Sequence, residues 1–201
     1  MTILGYQIAS EHRATVWTDS ETYGADHAPT GHVSKMAVNP LAVSVLVGTG
    51  YVWVLKRARE CFVDCKTFNE ALLELPNVLR GAVQGMEPER LRPTPLQNSV
   101  CVVGFCHRSR RMAGFVLDEA SMFEPTLARE VAMPRLDAPM CEDVHSVIST
   151  AQRQVAALKL PVSGTLLLGR LGPATVSVSQ VFDLGRGVQL RRPLDLTPFE
   201  G

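Results

Sequence analysis

Three residues near the start of the chain have side chains that together could perform nucleophilic chemistry. Thr2 carries a hydroxyl at the second position, Asp19 ends one strand-like run and Lys35 begins another. A threonine hydroxyl is a poor nucleophile unless a base lies beside it, and an N-terminal residue carries such a base in its own α-amine. That amine titrates near ~8, so much of it is neutral at physiological pH. The combination predicts nucleophilic attack by Thr2 once Met1 is removed, which a small second residue favours.

Lys35, Asp19 and Gly48 would assist this chemistry. A lysine cation close to Thr2 would lower the pKa of both the hydroxyl and the amine. An aspartate paired with that lysine would keep it placed and charged. A glycine at position 48 would let a backbone N–H approach a developing oxyanion. Thr2, Asp19, Lys35 and Gly48 could therefore form a catalytic site if the fold brings them together. Taken singly, Asp19 would be a surface aspartate at a strand end and Lys35 a surface lysine on an edge strand.

Strand-like segments should position these residues. The runs 3–8 and 14–18 flank the polar turn 10–13, a pattern typical of a β-hairpin that ends at Asp19. The apolar run 42–47 predicts a strand that closes on Gly48-Thr49-Gly50, with a helix directly after it.

This stretch resembles the N-terminal half of the proteasome β-subunit family and its bacterial proteasome-like relatives. Members carry a Thr at the mature N-terminus, an acidic residue at the end of the second strand and a Lys opening the third. Thr2, Asp19 and Lys35 occupy those positions here, and the sixteen-position interval from Asp19 to Lys35 needs no gap. The resemblance implies an N-terminal-nucleophile (Ntn) hydrolase of the threonine peptidase type. It also implies a homo-oligomeric ring or shell that encloses peptide or unfolded-protein substrates, with no cofactor and no metal.

Two alignments of the first strand with this family are open. One superposes Gly5 on the glycine of the family's first strand, which places Met1 at the nucleophile position. The other keeps Thr2 there and requires a one-residue deletion before Gly5 and an extra residue in the turn. The family's later Gly-Ser turn, which supports the nucleophile, is replaced by the sequence at 130–134. A non-catalytic structural or binding subunit of an assembly is therefore the second interpretation.

Helical periodicity appears three times along the chain. Tyr51 to Asp64 alternates apolar and charged residues at helical spacing. Thr67 with Glu70 has the spacing of a capping box, and Pro76 should end or kink the helix that follows, leaving a shorter piece from 78 to 83. The clearest pattern is 141–160, which Pro161 ends.

The remaining segments complete an α+β pattern. Strand-like runs cover 99–106, 113–118, 121–127, 164–169 and 174–182, and the proline-bearing segment 85–97 reads as a surface connection. Strands, two helices, strands, one helix and strands predict two antiparallel sheets with helices on their outer faces. This order is the four-layer αββα sandwich of the Ntn-hydrolase fold. We expect a single domain over 1–184 and an irregular C-terminal tail over 185–201.

Composition argues against several other classes of protein. Twenty basic and twenty acidic residues leave no net charge, which gives no support for a nucleic-acid partner. No apolar run is long enough to span a membrane and no secretory signal is visible, so we expect no membrane association and a cytoplasmic location. The five cysteines lie mostly in apolar runs, which predicts buried thiols rather than disulfides or metal ligands.

Two motifs keep alternative interpretations. The cluster His107-Arg108-Ser109-Arg110-Arg111 could bind a phosphate or a carboxylate, although a solvated turn is the simpler reading. Gly48-Thr49-Gly50 only weakly resembles a phosphate-binding turn, because the spacing and lysine of a P-loop are missing. We also expect self-association through the helices at 51–64 and 67–83. The reason is that apolar residues such as Trp53, Val54 and Phe62 occupy more than one face of the first of these helices.

Overall fold

The structure is a computed structural model, and it describes residues 2–23, 29–32, 35–85, 98–136, 143–158 and 164–193. The strands of the described ranges are β1 (Leu4–Ser10), β2 (Arg13–Asp19), β3 (Glu21–Tyr23), β4 (Pro29–His32), β5 (Met36–Asn39), β6 (Ser44–Thr49), β7 (Ser99–Cys106), β8 (Arg111–Asp118), β9 (Thr126–Ala128), β10 (Glu130–Met133), β11 (Thr165–Leu171), β12 (Val176–Asp183) and β13 (Val188–Pro193). The helices are α1 (Val52–Asp64), α2 (Phe68–Gln84) and α3 (Val144–Leu158).

The strands form two large antiparallel sheets and one short hairpin. The first sheet has the order β10-β1-β2-β11-β12-β13, so the predicted N-terminal hairpin lies inside it. The second sheet has the order β5-β6-β7-β8-β9, and β3 pairs with β4 separately.

Three apolar clusters separate the layers. One cluster contains residues of both sheets, among them Leu4 and Val16 from the first and Val45 and Val103 from the second. A second cluster joins the five-stranded sheet to α1 and α2, and a third joins the six-stranded sheet to α3. The layers therefore follow the order α3, six-stranded sheet, five-stranded sheet, then α1 with α2. The predicted α+β class with two antiparallel sheets and outer helices is confirmed at this level.

The ends of α1 and α2 follow local capping rules. Thr67 accepts a hydrogen bond from the Glu70 amide at 3.1 Å, and the Glu70 carboxylate accepts one from the Lys66 amide at 2.7 Å. At the other side of this junction, the buried Asn39 side chain donates to the carbonyls of Phe62 and Cys65, each at 2.7 Å. These bonds satisfy backbone groups that helix ends leave unpaired.

Pro76 was predicted to end or kink its helix. It does not end the helix, because α2 continues from Phe68 to Gln84 with Pro76 inside it. A proline in a helix interior removes one backbone hydrogen bond and costs about 3 kcal/mol. Leu75 and Leu79 on either side of it are fully buried against the five-stranded sheet. We attribute the continuity of α2 to this packing.

Three further expectations need correction. The tail from residue 185 is not irregular throughout, because Val188–Pro193 forms β13 on the edge of the six-stranded sheet; residues 194–201 lie outside the described ranges. The segment 121–127 is not one strand, since a short 3-10 turn at Glu119–Ser121 precedes β9. Val54 and Phe62 are fully buried, so of the three residues named for self-association only Trp53 reaches the surface.

Two observations bear on the remaining predictions. Among the described residues no helix has the length and apolar character needed to span a bilayer. Most of the proposed surface connection, 86–97, lies outside the described ranges, as does Cys141.

Candidate active site

The beginning of β1 and the end of β2 are tied together by the Asp19 carboxylate. The Ile3 amide donates to Asp19 Oδ1 at 2.9 Å, and the Asp19 amide donates to the Ile3 carbonyl at 3.1 Å. The Thr18 hydroxyl donates to the same carbonyl at 3.2 Å. Because Thr2 directly precedes Ile3, this network fixes the backbone from which the Thr2 side chain projects.

Lys35 lies between Thr2 and Asp19. Its ammonium is 2.6 Å from Asp19 Oδ2 and donates to Thr2 Oγ1 at 2.9 Å. The side chains of Lys35 and Asp19 are 7% and 0% exposed, whereas Thr2 is half-buried. The structure thus brings together three of the four residues that the sequence selected, with the hydroxyl on the accessible side.

This ion pair connects the two sheets. Thr2 and Asp19 belong to the β1–β2 hairpin of the six-stranded sheet, whereas Lys35 immediately precedes β5 of the five-stranded sheet. Asp19 is therefore neutralised by a residue from the opposite layer. A buried pair adds little net stability compared with an apolar pair, but removing one partner is strongly destabilising. The arrangement favours a charged lysine beside a hydroxyl at one end of the sandwich.

Gly48 lies near the end of β6, next to the position of Lys35. The Phe105 amide donates to the Val43 carbonyl at 3.1 Å, in register with the β6–β7 ladder. Since backbone groups point alternately to either neighbour in an antiparallel sheet, the Gly48 amide is directed away from β7 and toward the β5 side. The β5–β6 pairing ends there at Met36 and Val47, so Lys35 comes next.

Close packing also accounts for glycine at position 48. A side chain there would lie 2.6 Å from Leu55 of α1 and 3.1 Å from the Ser99 carbonyl. The glycine thus lets α1 fold back against the end of β6. A role of its amide in oxyanion binding stays a prediction.

Gln154 of α3 holds three strands together beside the site. Its Oε1 accepts from Trp17 Nε1 at 2.8 Å, and its Nε2 donates to the carbonyls of Leu4 and Met133 at 2.8 and 2.9 Å. These partners lie on β2, β1 and β10, and Gln154 is fully buried. Gln154 could not be predicted from the sequence, because a glutamine on a helix gives no sign of burial.

The segment at 130–134, which departs from the family pattern in the sequence, forms strand β10 over Glu130–Met133. Met133 pairs with Leu4 and Ala132 with Gly5, so β10 runs along the first half of β1. Gly5 is needed for this approach, because a side chain there would collide with Trp17 and with the Val131 carbonyl. The sequence at 130–134, which differs from the family's Gly-Ser turn, is therefore part of a continuous edge strand next to the candidate nucleophile.

Asn98 was also missed by the sequence analysis. It precedes β7, is 1% exposed and accepts a hydrogen bond from the Tyr51 amide at 2.8 Å. The Gly48–Tyr51 turn is thereby attached to the neighbouring strand. An isolated asparagine beside a proline-rich segment carries no signal of this role in the sequence.

Three of the four thiols of the described residues are poor nucleophiles. Burial raises the pKa of Cys101 and of Cys65, the latter to about 12, which disfavours the reactive thiolate. Cys61 is shifted in the same direction, again chiefly by burial. No group of three or more metal-ligating side chains is present in the described ranges.

Cys106 is the exception among these thiols. Desolvation by burial is outweighed there by hydrogen bonds with Ser109, Arg108 and Asn69, which lower the pKa. This thiol lies at the other end of β7 from the residues that pair with Gly48 and Thr49.

No protein-family model matches the chain, and a search of curated proteins finds no significant match.

Proposed function

We propose that this chain is an N-terminal-threonine hydrolase of the proteasome-like type, with Thr2 as its nucleophile. The observation that carries the proposal is the position of the Lys35 ammonium, 2.9 Å from Thr2 Oγ1 and 2.6 Å from the buried Asp19 carboxylate. The contact also favours the alignment that places Thr2, rather than Met1, at the nucleophile position. The substrates would be peptides or unfolded protein segments.

The chemistry assigns one role to each group. Once Met1 is removed, the neutral α-amine of Thr2 takes the hydroxyl proton while Oγ1 attacks the scissile carbonyl carbon. Lys35 stabilises the negative charge that develops on Oγ1, and Asp19 keeps that ammonium in place. The protonated α-amine then protonates the leaving amine, which leaves an ester on Thr2 that water hydrolyses.

The Gly48 amide is the candidate donor to the carbonyl oxygen. Its direction toward the β5 side of the sheet supports this role, because Lys35 lies at the same place. An amide donor aimed at a tetrahedral intermediate typically contributes ~10²–10³ in rate.

The layer order supports the Ntn-hydrolase fold as the finer description of the sandwich. Two antiparallel sheets pack face to face, α1 and α2 cover one outer face and α3 covers the other. The candidate nucleophile lies at the start of an inner strand of one sheet, as the resemblance implies.

A self-assembled ring or shell is part of the proposal. The outer surface of α1 and α2 carries exposed apolar residues, and between the two helices lies a groove of about 410 Å³ lined by Trp53, Arg57, Val78, Gly81, Ala82 and Gly85. The Arg57 guanidinium stacks 4.6 Å from the centre of the Trp53 ring. Such a surface suits burial against another subunit.

A non-catalytic subunit with the same fold is the second candidate. The observation in its favour is β10, which replaces the family's supporting Gly-Ser turn. In that case Asp19 and Lys35 would be an ion pair that only holds the start of β1.

Peptide hydrolysis by protein whose intact mass shows loss of Met1 tests the proposal. We expect cleavage of a panel of fluorogenic peptides by the wild type and none by Thr2→Ala. Thr126→Ala, at an exposed threonine of β9, serves as the matched control and should retain activity. Absence of cleavage by Met1-free wild type across the panel would favour the non-catalytic subunit.

A further inference from the structure

A buried asparagine distant in sequence from the candidate catalytic residues controls the turn that carries Gly48. All four polar groups of Asn98 are bonded: Oδ1 accepts from the Tyr51 amide at 2.8 Å and Nδ2 donates to Glu119 Oε2 at 2.7 Å. Its backbone amide donates to the same carboxylate oxygen at 3.1 Å, and its carbonyl accepts from the Glu119 amide at 2.9 Å. This bonding fixes the orientation of the side-chain amide, because only the nitrogen can face the carboxylate.

The turn is shaped to receive this side chain. Gly50 has φ +129°, and a Cβ at that position would collide with Asn98. Position 50 therefore requires glycine for its backbone conformation and for the close approach of Asn98. Tyr51 is the N-cap residue of α1 and makes no side-chain capping bond, so Asn98 supplies the partner of its backbone amide.

The Gly50 amide has no hydrogen-bond acceptor in the described part of the chain. The next residue, Tyr51, donates its amide to Asn98. Two residues before Gly50, the Gly48 amide is directed toward the β5 side of the sheet, next to Lys35. Asn98 thus fixes the end of a turn whose first residue, Gly48, directs its amide to the side of the sheet where Lys35 reaches Thr2.

We infer that Asn98, held by Glu119, is a positioning residue that presets the Gly48–Gly50 backbone for binding the oxyanion formed during attack by Thr2. The inference rests on the proposed function, and it adds a residue that acts through the backbone of its neighbours. Asn98 and Glu119 touch no reacting atom. Their effect should therefore fall on the rate of acylation and not on the binding of substrate.

The chain contains a matched control for loss of a buried asparagine. Asn39 is also 1% exposed, its side chain makes three hydrogen bonds, and it holds the opposite end of α1. Asn39→Ala should destabilise the fold as Asn98→Ala does, but it leaves the Gly48–Gly50 turn intact.

The experiment compares these variants in Met1-free protein at a temperature well below unfolding. For Asn98→Ala we expect faster hydrogen exchange at the Tyr51 amide by at least about tenfold and slower acylation of Thr2 by a peptide β-lactone, also by at least about tenfold. The KM for peptide hydrolysis should stay within about threefold. Asn39→Ala should leave the Tyr51 exchange and the acylation rate within about twofold of the wild type.

A pair of substitutions that exchanges the amide and carboxylate side chains of Asn98 and Glu119 tests the same contact by rescue. Asn98→Asp keeps the acceptor for Tyr51 but places two carboxylates together, and a second change, Glu119→Gln, restores a donor between them. We expect the single variant to lose acylation rate and the double variant to recover part of it, because a side-chain amide nitrogen that donates to the new carboxylate cannot also accept from the backbone amide of residue 98.

Several outcomes would overturn the inference. If Asn98→Ala speeds hydrogen exchange at the Tyr51 amide but leaves the acylation rate unchanged, the turn does not contribute to oxyanion binding. If Asn39→Ala loses as much acylation rate as Asn98→Ala, the loss reflects lower stability in general. A wild type that lacks Met1 and is not acylated would refute the proposed function and this role together. Unchanged exchange in Asn98→Ala would refute the attachment of the turn, even in an active enzyme.

Discussion

At the residue scale, the site depends on a lysine that is buried between an acid and a hydroxyl. Lys35 and Asp19 neutralise each other in a region where either charge alone would be costly. Asp19 additionally accepts from the Ile3 amide, so the same carboxylate positions both the lysine and the backbone next to Thr2. Under the proposed function, the chemistry of Thr2 and the stability of the fold would therefore depend on the same residues.

Substitution of Lys35 tests this coupling. Lys35→Met should abolish acylation of Thr2 and lower the free energy of unfolding by about 3–5 kcal/mol, because the Asp19 carboxylate remains buried without its cation. Urea denaturation and the rate of β-lactone acylation measure the two effects. Lys56→Met is the control, since the Lys56 side chain is 65% exposed and its pair with Glu60 has a separation of 4.0 Å. A Lys35 variant as stable as the Lys56 variant would contradict the buried pair.

Glycines at two positions should respond to alanine in opposite directions. Gly5→Ala should destabilise the protein by several kcal/mol, because the new methyl group would collide with Trp17 and the Val131 carbonyl. Gly81→Ala, where nothing lies within 4 Å and the backbone is helical, should stabilise it by about 0.5–1 kcal/mol. Thermal unfolding of both variants checks the two signs, and the same sign for both would refute the described packing at Gly5.

At the scale of elements, α3 packs on the six-stranded sheet through an apolar cluster and adds one buried side chain that is hydrogen-bonded to three strands beside the site. Gln154 satisfies an indole N–H and two backbone carbonyls from three strands. A side-chain amide can donate and accept hydrogen bonds at the same time, and this explains why a polar residue lies on the buried face of the helix.

Replacement of Gln154 by leucine should therefore be costly despite the similar size. We expect Gln154→Leu to lower the free energy of unfolding by about 2–4 kcal/mol, since Trp17 and the two carbonyls lose their partners in a buried region. Gln152→Leu, at an exposed position of the same helix, should change it by less than about 0.5 kcal/mol. Equal effects of the two substitutions in chemical denaturation would argue against the three-strand attachment.

Sequence patterns predicted the helices and strands better than the buried polar side chains that hold them in place. The hairpin, the first two helix starts and the sheet classes follow from local periodicity and caps, which depend on neighbouring residues alone. Asp19 and Lys35 were selected because their order and spacing match the family that the sequence resembles. Gln154 and Asn98 were missed because each acts on residues 21–150 positions away. Pro76 was misjudged because packing against the sheet outweighed the local penalty.

At the scale of the whole molecule, the proposed self-association would use the outer face of α1 and α2, where several exposed apolar side chains of the described residues lie. Val52, Trp53 and Leu73 are 61%, 44% and 73% exposed, and the groove between the helices is lined in part by Trp53. The charged residues of this face include ion pairs within α1, Lys56 and Arg57 with Glu60.

A single charge in this groove should reduce assembly. We expect the wild type to sediment as an oligomer at micromolar concentration, and Trp53→Glu to shift it toward the monomer by at least about tenfold in dissociation constant. Leu41→Glu, in the exposed turn between β5 and β6, is the control for a general effect of added charge and should assemble normally. A monomeric wild type would refute assembly, and an unaffected Trp53 variant would exclude this face.

The account as a whole depends on whether Thr2 reacts. Protein with an intact mass that shows loss of Met1 would be incubated with a peptide epoxyketone, an electrophile that requires both the hydroxyl and the α-amine of the nucleophile, and the adduct would be mapped by peptide mass spectrometry. We expect one adduct per chain on Thr2 in the wild type, and none in Thr2→Ala or Lys35→Met. An unmodified Thr2 in Met1-free wild type would refute the proposed function, and Asp19 and Lys35 would then be an ion pair that holds a strand end.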